Sequence, residues 1–380
     1  MTHEKQVSNA LYSMADALEG KNTAHKTKIA LTTIGSELPA EELVQGALTA
    51  CSKNPLLEVV IIGPKTNAPF EQYNTDCEKE AHTHLEKLLK EKEVQGAVTL
   101  HYNFPLGTST VGKVNAIGSG KEMYIATTTG TSAANRVEAM ILNAILGISA
   151  AKSGGIKSPS IGVLNVEGAR QVEKALNTLK ENGLEFSMGE SVRRDGGSVL
   201  RGNDILAGSC DVVVCDTLTG NILMKLFTAS NTGGQKETVG WGYGPGIGRN
   251  MDNIISIISR ASGAPVVSGA LQYTYEMVSG DLPTTAKNQF KQGDKAGLKE
   301  LLAELTKPQQ KTEEVSAPPK KTVTEEITGI DILQLDDGVQ VLWKEGIYAE
   351  SGMGCAGPVI MVNPEDLDKA KKSLKANKIL

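Results

Sequence analysis

Cys355 stands in SGMGCAGPVIMV, residues 351–362, with Gly354 before it and Ala356 and Gly357 after it. A thiolate is a strong nucleophile and a good leaving group, so a cysteine can take an acyl group as a thioester and surrender it to a second nucleophile. Small neighbours leave backbone amides bare. The N–H groups of Gly354, Ala356 and Gly357 can meet an oxyanion forming on the acyl carbon, and one such donor is worth about 3–4 kcal/mol. Pro358 has no N–H to give. The plainer reading is a small residue in a tight glycine turn.

A second stretch suggests anion binding. GNDILAGSCDVVVCDTLTGNILMKLF, residues 202–227, reads as a buried strand ending at Asp216, a short turn, and a helix beginning near Gly220. Open parallel sheets bind ligands beyond the carboxyl ends of their strands, and the first turn of a helix offers free N–H groups to an anion. Asp216, Thr219, Gly220, Asn221 and Lys225 form the candidate set: a hydroxyl, a glycine for close backbone approach, an amide and a cation one turn in. Capping of the helix by Asp216 and Thr219, with a solvated Lys225, explains the same residues without a ligand.

The elements that must hold these groups alternate between strand and helix. KIALTTIG (28–35), LEVVIIG (57–63), EMYIATTTG (122–130), SIGVLNVEG (160–168) and CDVVVCD (210–216) are apolar runs of strand length. Helical spacing follows several of them, at 39–51, 133–151 and 169–182. The expected fold is therefore a doubly wound, mostly parallel α/β body over residues 25–305. Residues 1–24 read as a polar helical arm. TKPQQKTEEVSAPPKKTVTEE, 306–326, reads as a linker that limited proteolysis should cut first. Residues 327–380 read as a small C-terminal α+β module: a hairpin over 338–351, the turn and strand containing Cys355, and a helix capped by Asn363. WGYGPGIG (241–248) reads as a lid or oligomer loop ahead of a helix at 250–260.

Composition narrows the function classes. The chain has 380 residues and a net charge of −5, with no concentrated basic stretch to suit nucleic acid. It has no apolar run of about 18 residues for a membrane span and no export pattern at its start. Five scattered cysteines suit a reducing cytoplasm. Cys77, His82 and His84 lack a fourth zinc ligand, so no metal is expected. Cys210 and Cys215 bracket a buried strand and read as packing residues. All five histidines precede residue 102, and His101 is a possible base for Cys355.

DVVVCDTLTGNILMK (211–225) resembles the phosphate acyltransferase (PlsX) family, which typically has DVVVCDGFTGNVLLK there. The resemblance covers residues 27–230. ATTTGTSAANRVEAM takes the place of the family's SAGNTGALMA segment, and TTIGSE that of its acidic DAMGGD loop. It implies a fold similar to phosphotransacetylase and isocitrate dehydrogenase. The GMGCAGP turn extends the likeness, over nearly the whole chain, to the branch in component C of glycine/sarcosine/betaine reductase. That branch implies an acetyl thioester on Cys355, inorganic phosphate as co-substrate, release of acetyl phosphate, and no cofactor. It also implies a component C beta subunit and selenoprotein A as partners, in a homo- and hetero-oligomer. A stand-alone phosphate acyltransferase and a non-catalytic scaffold subunit remain open readings.

Overall fold

The computed structural model describes residues 26–194, 196–305, 315–331, 334–354 and 357–380. The expected arm at 1–24, residues 306–314 of the expected linker, and Cys355 and Ala356 lie outside these ranges.

The first half contains β1 (Thr27–Thr32), α1 (Ala40–Lys53), β2 (Leu57–Gly63), β3 (Glu71–Asn74), α2 (Glu78–Lys90), β4 (Gly96–Thr99), β5 (Thr108–Asn115), β6 (Glu122–Thr131), α3 (Arg136–Ser153), β7 (Ser160–Leu164) and α4 (Ala169–Glu181). Then come β8 (Ser187–Met188), β9 (Val199–Leu200), α5 (Gly202–Ala207), β10 (Val212–Val214), α6 (Thr217–Ala229), β11 (Gly244–Gly248), β12 (Ile255–Ile257), α7 (Ala264–Ser279), α8 (Leu282–Lys295) and α9 (Leu298–Leu305). The tail adds β13 (Glu325–Ile327), α10 (Leu335–Lys344), β14 (Ala349–Gly354), β15 (Gly357–Val362) and α11 (Leu367–Ala376).

Local sequence accounts for most of these. Helix α1 turns Leu43, Val44, Ala47 and Ala50 to one side, with Glu41 and Glu42 in its first turn and Lys53 in its last, as the helix dipole favours. Helix α3 is apolar on nearly every side, because it lies in the largest core cluster, covered by α4 and α8 as well as by the sheet. The main sheet runs β3-β2-β1-β4-β12-β11-β5-β6-β10-β7-β8, with β9 beside β7. Its two flanks are parallel within themselves. The pairs β12/β11, β11/β5 and β5/β6 are antiparallel, so the flanks run in opposite directions. The carboxyl end of β10 and those of β1, β4 and β12 therefore lie at opposite edges, and α6 crosses the sheet between them.

Four expectations of the fold need correction. Residues 250–260 are not a helix but contain β12, parallel to β4. Ile254, Ile255, Ile257 and Ile258 fit helical spacing, yet their branched Cβ atoms favour an extended chain. WGYGPGIG is not a lid: its last five residues are buried strand β11. The glycines admit close neighbours, since a Cβ at Gly246 would fall 2.2 Å from the Phe104 ring and one at Gly244 1.8 Å from the Val111 carbonyl. Nor is 338–351 a hairpin, because it opens in helix α10. Val339, Val341 and Trp343 alternate as in a strand, but Val339 and Leu342 are the buried pair, Asp336 and Asp337 lie in the first turn and Lys344 in the last. Strand β13 also takes in Glu325 and Glu326, from the stretch read as linker, and pairs with β15.

The tail packs around its own cluster, including Ile327, Leu342, Ile347, Ile360, Val362 and Leu374. Its C-terminal end faces α4 and α9 across a groove of about 860 Å³, where Lys174 Nζ donates to the Lys378 carbonyl at 3.5 Å.

Candidate active site

The turn after β10 is tied inward. Asp216 caps α6: its carboxylate accepts from the Thr219 N–H at 3.1 Å and from the Thr219 hydroxyl at 2.6 Å. The helix thus starts at Thr217, three residues before the sequence expectation, and a carboxylate stands where an anion would approach. Asn221 Nδ2 donates to the Thr128 carbonyl at 3.1 Å. The Thr217 and Thr127 hydroxyls are 3.2 Å apart. Gly220 was expected to admit a ligand to the backbone, but it admits β6 instead. A Cβ there would sit 1.8 Å from the Thr127 carbonyl oxygen. Gly220→Ala should therefore lift α6 from the sheet and cost about 1–3 kcal/mol, even without phosphate. Denaturant melts read this directly: a variant with unchanged stability but weakened phosphate binding would return Gly220 to the ligand role.

Lys225 is not at the helix N-terminus. It lies six residues beyond Thr219, about 9 Å along the axis, and points to the opposite edge of the sheet. Its Nζ donates to Glu237 Oε1 at 2.5 Å and to Ser259 Oγ at 3.0 Å, and stands 5.9 Å from the Tyr243 ring centroid. Glu237 is fully buried and also accepts from Ser262 Oγ at 3.0 Å and from the Tyr243 hydroxyl at 3.2 Å. Burial, and secondarily the Glu237 charge, push the Tyr243 phenol well above its ordinary value. Next in sequence, Lys236 Nζ meets Glu42 Oε1 at 2.6 Å, and Glu42 also accepts from the Ala264 N–H at the start of α7. The Ala264 amide, then Lys236, hold the Glu42 carboxyl below the usual range. Arg260 Nε binds the Gly35 carbonyl at 2.8 Å and so links the ends of β12 and β1.

This constellation around Glu237 escaped sequence reading. Its members are spread from residue 225 to residue 262, and Glu237 sits in a segment that reads as loop. Only Lys225 stood in a recognisable pattern.

In the tail, β14 and β15 form an antiparallel hairpin whose last backbone pair is Gly354 with Gly357. Cys355 and Ala356 join those two glycines in sequence. Strand β15 is anchored behind them by Val359, Ile360 and Val362, all buried. His101 is exposed at the end of β4, with its ring 6.2 Å from that of His82. Among the described residues no group of three or more His, Cys, Asp or Glu could hold a metal, and no helix is long and apolar enough to cross a membrane.

The other thiols differ in reactivity. Cys210 and Cys215 are buried, and burial raises Cys210 to about 12 and Cys215 further. Burial also raises Cys51, whereas Cys77 is exposed at the N-cap of α2. Iodoacetamide at pH 8 should therefore modify Cys77 in the folded protein and spare Cys210 and Cys215, because the thiolate is the reacting form. Peptide mapping checks this, and labelling of either buried thiol before unfolding would contradict it.

A family model described as "Fatty acid synthesis protein" matches residues 27–361. The chain belongs to that family. Its matched span takes in the main sheet, the linker region and the Gly354–Gly357 hairpin end. The chain is 49% identical to the glycine/sarcosine/betaine reductase complex component C subunit alpha of Peptoclostridium acidaminophilum, over 98% of this chain and 97% of that one. It is 30% identical to a phosphate acyltransferase of Thermotoga neapolitana, over 52% of this chain and 68% of that one. A branched-chain phosphotransacylase from Enterococcus faecalis aligns with 66% of this chain and 99% of its own, at 15% identity and a TM-score of 0.48. The sheet order above, rather than that distant likeness, establishes the mostly parallel α/β fold.

Proposed function

We propose that the chain is the acyltransferase subunit of a glycine reductase-type component C. A two-carbon acyl unit is carried as a thioester on Cys355, and phosphate cleaves it to acetyl phosphate. The observation that carries this reading is the extent of the similarity: 98% of the chain aligns with the reductase subunit, against 52% with the phosphate acyltransferase. The body and the cysteine-bearing tail are thus shared together with the former.

Atoms balance as follows. With a carboxymethyl selenoether on selenoprotein A as donor, the carboxyl carbon bonds to Cys355 Sγ, the C–Se bond breaks and the methylene becomes a methyl group, while the selenium and a second thiol are oxidised to a selenosulfide and water leaves. A phosphate oxygen then attacks the same carbon, the C–S bond breaks, and the thiolate is regenerated. The Ala356 N–H is the oxyanion donor of this proposal, since those of Gly354 and Gly357 pair with each other's carbonyls across the hairpin. Lys225 is the cation it assigns to phosphate, since 43% of its side chain stays exposed, and its ion pair with Glu237 has to loosen for the anion to bind. Asp216 and Thr219 serve as the helix cap.

The test is reconstitution. Beta subunit, selenoprotein A and substrate are assayed for acetyl phosphate with and without this chain. Formation only when the chain is present supports the proposal. Acetyl phosphate formation independent of it favours the scaffold reading. Acyl phosphate made by the chain alone from an acyl carrier protein substrate favours a stand-alone phosphate acyltransferase.

A further inference from the structure

The last turn of α3 and the polar side of α8 enclose a hollow of about 450 Å³, a size at the small end of ligand sites. It takes no residue from β10, α6 or the Glu237 constellation. Lys152 enters it from α3, and Lys291 and Lys295, one turn apart, enter it from α8. Among the described residues no carboxylate lines it, and none of these three lysines forms an ion pair. Their neighbours do find acids: Lys287, one turn back on α8, pairs with Asp252, and Lys299, just beyond its end, with Asp294. Three like charges around one hollow repel one another and focus a field that draws anions. Glu185 acts on Lys152 only through space, and burial keeps the Lys152 ammonium below the ordinary lysine value.

The neutral groups narrow the ligand. Gln289 is 4% exposed, and its Oε1 accepts from Lys152 Nζ at 3.2 Å, which fixes that cation in the hollow. Gln292 also lines the hollow, and its Oε1 is buried yet accepts no hydrogen bond among the described residues. A buried acceptor left unmet is costly. A solvated helix face accounts for the lysines alone, but not for that acceptor beside them.

We propose that this hollow binds a nucleoside di- or triphosphate. The three ammonium groups oppose the phosphate chain. The Gln292 acceptor separates an organic phosphate from an inorganic one: phosphate oxygens chiefly accept, whereas a ribose hydroxyl or a base amine donates. Asn288, exposed at the rim, carries an amide with donor and acceptor side by side, the pattern that pairs with an adenine edge. Every side chain lining the hollow is polar, which disfavours an acyl chain.

Isothermal titration calorimetry of the purified full chain with ADP and ATP tests this. Both should bind, and inorganic pyrophosphate should bind about tenfold more weakly or worse. ADP should raise the melting temperature, because the ligand bridges α3 and α8 and binds the folded chain. Lys291→Gln/Lys295→Gln, at two exposed positions, should weaken ADP about a hundredfold while leaving the far-UV spectrum unchanged. Gln292→Leu should weaken ADP about tenfold and leave pyrophosphate as it was. Lys287→Gln, outside the hollow, should bind ADP as the wild type does. Failure of both nucleotides to bind at millimolar concentration overturns the proposal, as does binding indifferent to the double lysine variant. Pyrophosphate that binds as tightly as ADP would make the hollow a non-specific anion patch and equally overturn it. So would an acidic partner protein that needs Lys291 and Lys295 while nucleotides do not bind.

Discussion

Cys355→Ala should reduce acetyl phosphate formation by the reconstituted complex about a thousandfold or more, because alanine cannot form a thioester and the reaction then lacks its covalent carrier. The two buried cysteines of the body cannot stand in. Cys210 and Cys215 are buried with thiols that resist ionisation, so neither supplies a thiolate near neutral pH. Cys51→Ala and Cys77→Ala should keep wild-type rates. A melting curve of Cys355→Ala that overlays the wild type makes the loss chemical rather than structural. Retention of near wild-type output would move the acyl group to another subunit and leave this chain a scaffold.

Glu237→Ala should be strongly destabilising, at about 3 kcal/mol. The carboxylate accepts from three side chains at once, those of Lys225, Tyr243 and Ser262. Its removal orphans the Tyr243 hydroxyl inside the protein, at roughly 1–3 kcal/mol for a buried unsatisfied donor. Lys225 loses less, because its half-exposed ammonium can take up water. Glu237→Gln keeps an acceptor oxygen and should recover part of the loss. Equilibrium denaturation of the two variants gives the comparison, and a Glu237→Ala protein as stable as the wild type would show that the constellation contributes nothing.

The parts of the fold that were legible are those in which one local signal dominates. Continuous β-branched runs announce β2 and β10, because a strand covered on both faces has no polar side to show. The 3.6-residue period announces α1 and α4. Strand β11 was illegible for a physical reason: GPGIG has almost no strand propensity and is held by neighbours that only glycine can admit, the Phe104 ring and the Val111 carbonyl. Helix α10 was misread because Val339, Val341 and Trp343 alternate, and only the packing of Gly338 on Ile360, where a Cβ would come within 2.6 Å, shows which face is inside. At the candidate site, Asp216 and Gly220 were recognisable as special, but spacing cannot tell a glycine that admits a phosphate from one that admits a neighbouring strand. Lys225 was recognisable too, though not the direction of its side chain, since Glu237 and Ser259 come from distant segments.

The most direct test of the central claim is mass spectrometry of the full complex after turnover with isotopically labelled glycine in the absence of phosphate. Thioester exchange is quenched with acid, and each subunit is mapped by peptide. The account predicts a labelled acetyl group on the peptide containing Cys355, stoichiometric with this chain, which disappears as acetyl phosphate when phosphate is added. Label confined to another subunit, or to another cysteine of this chain, would contradict it.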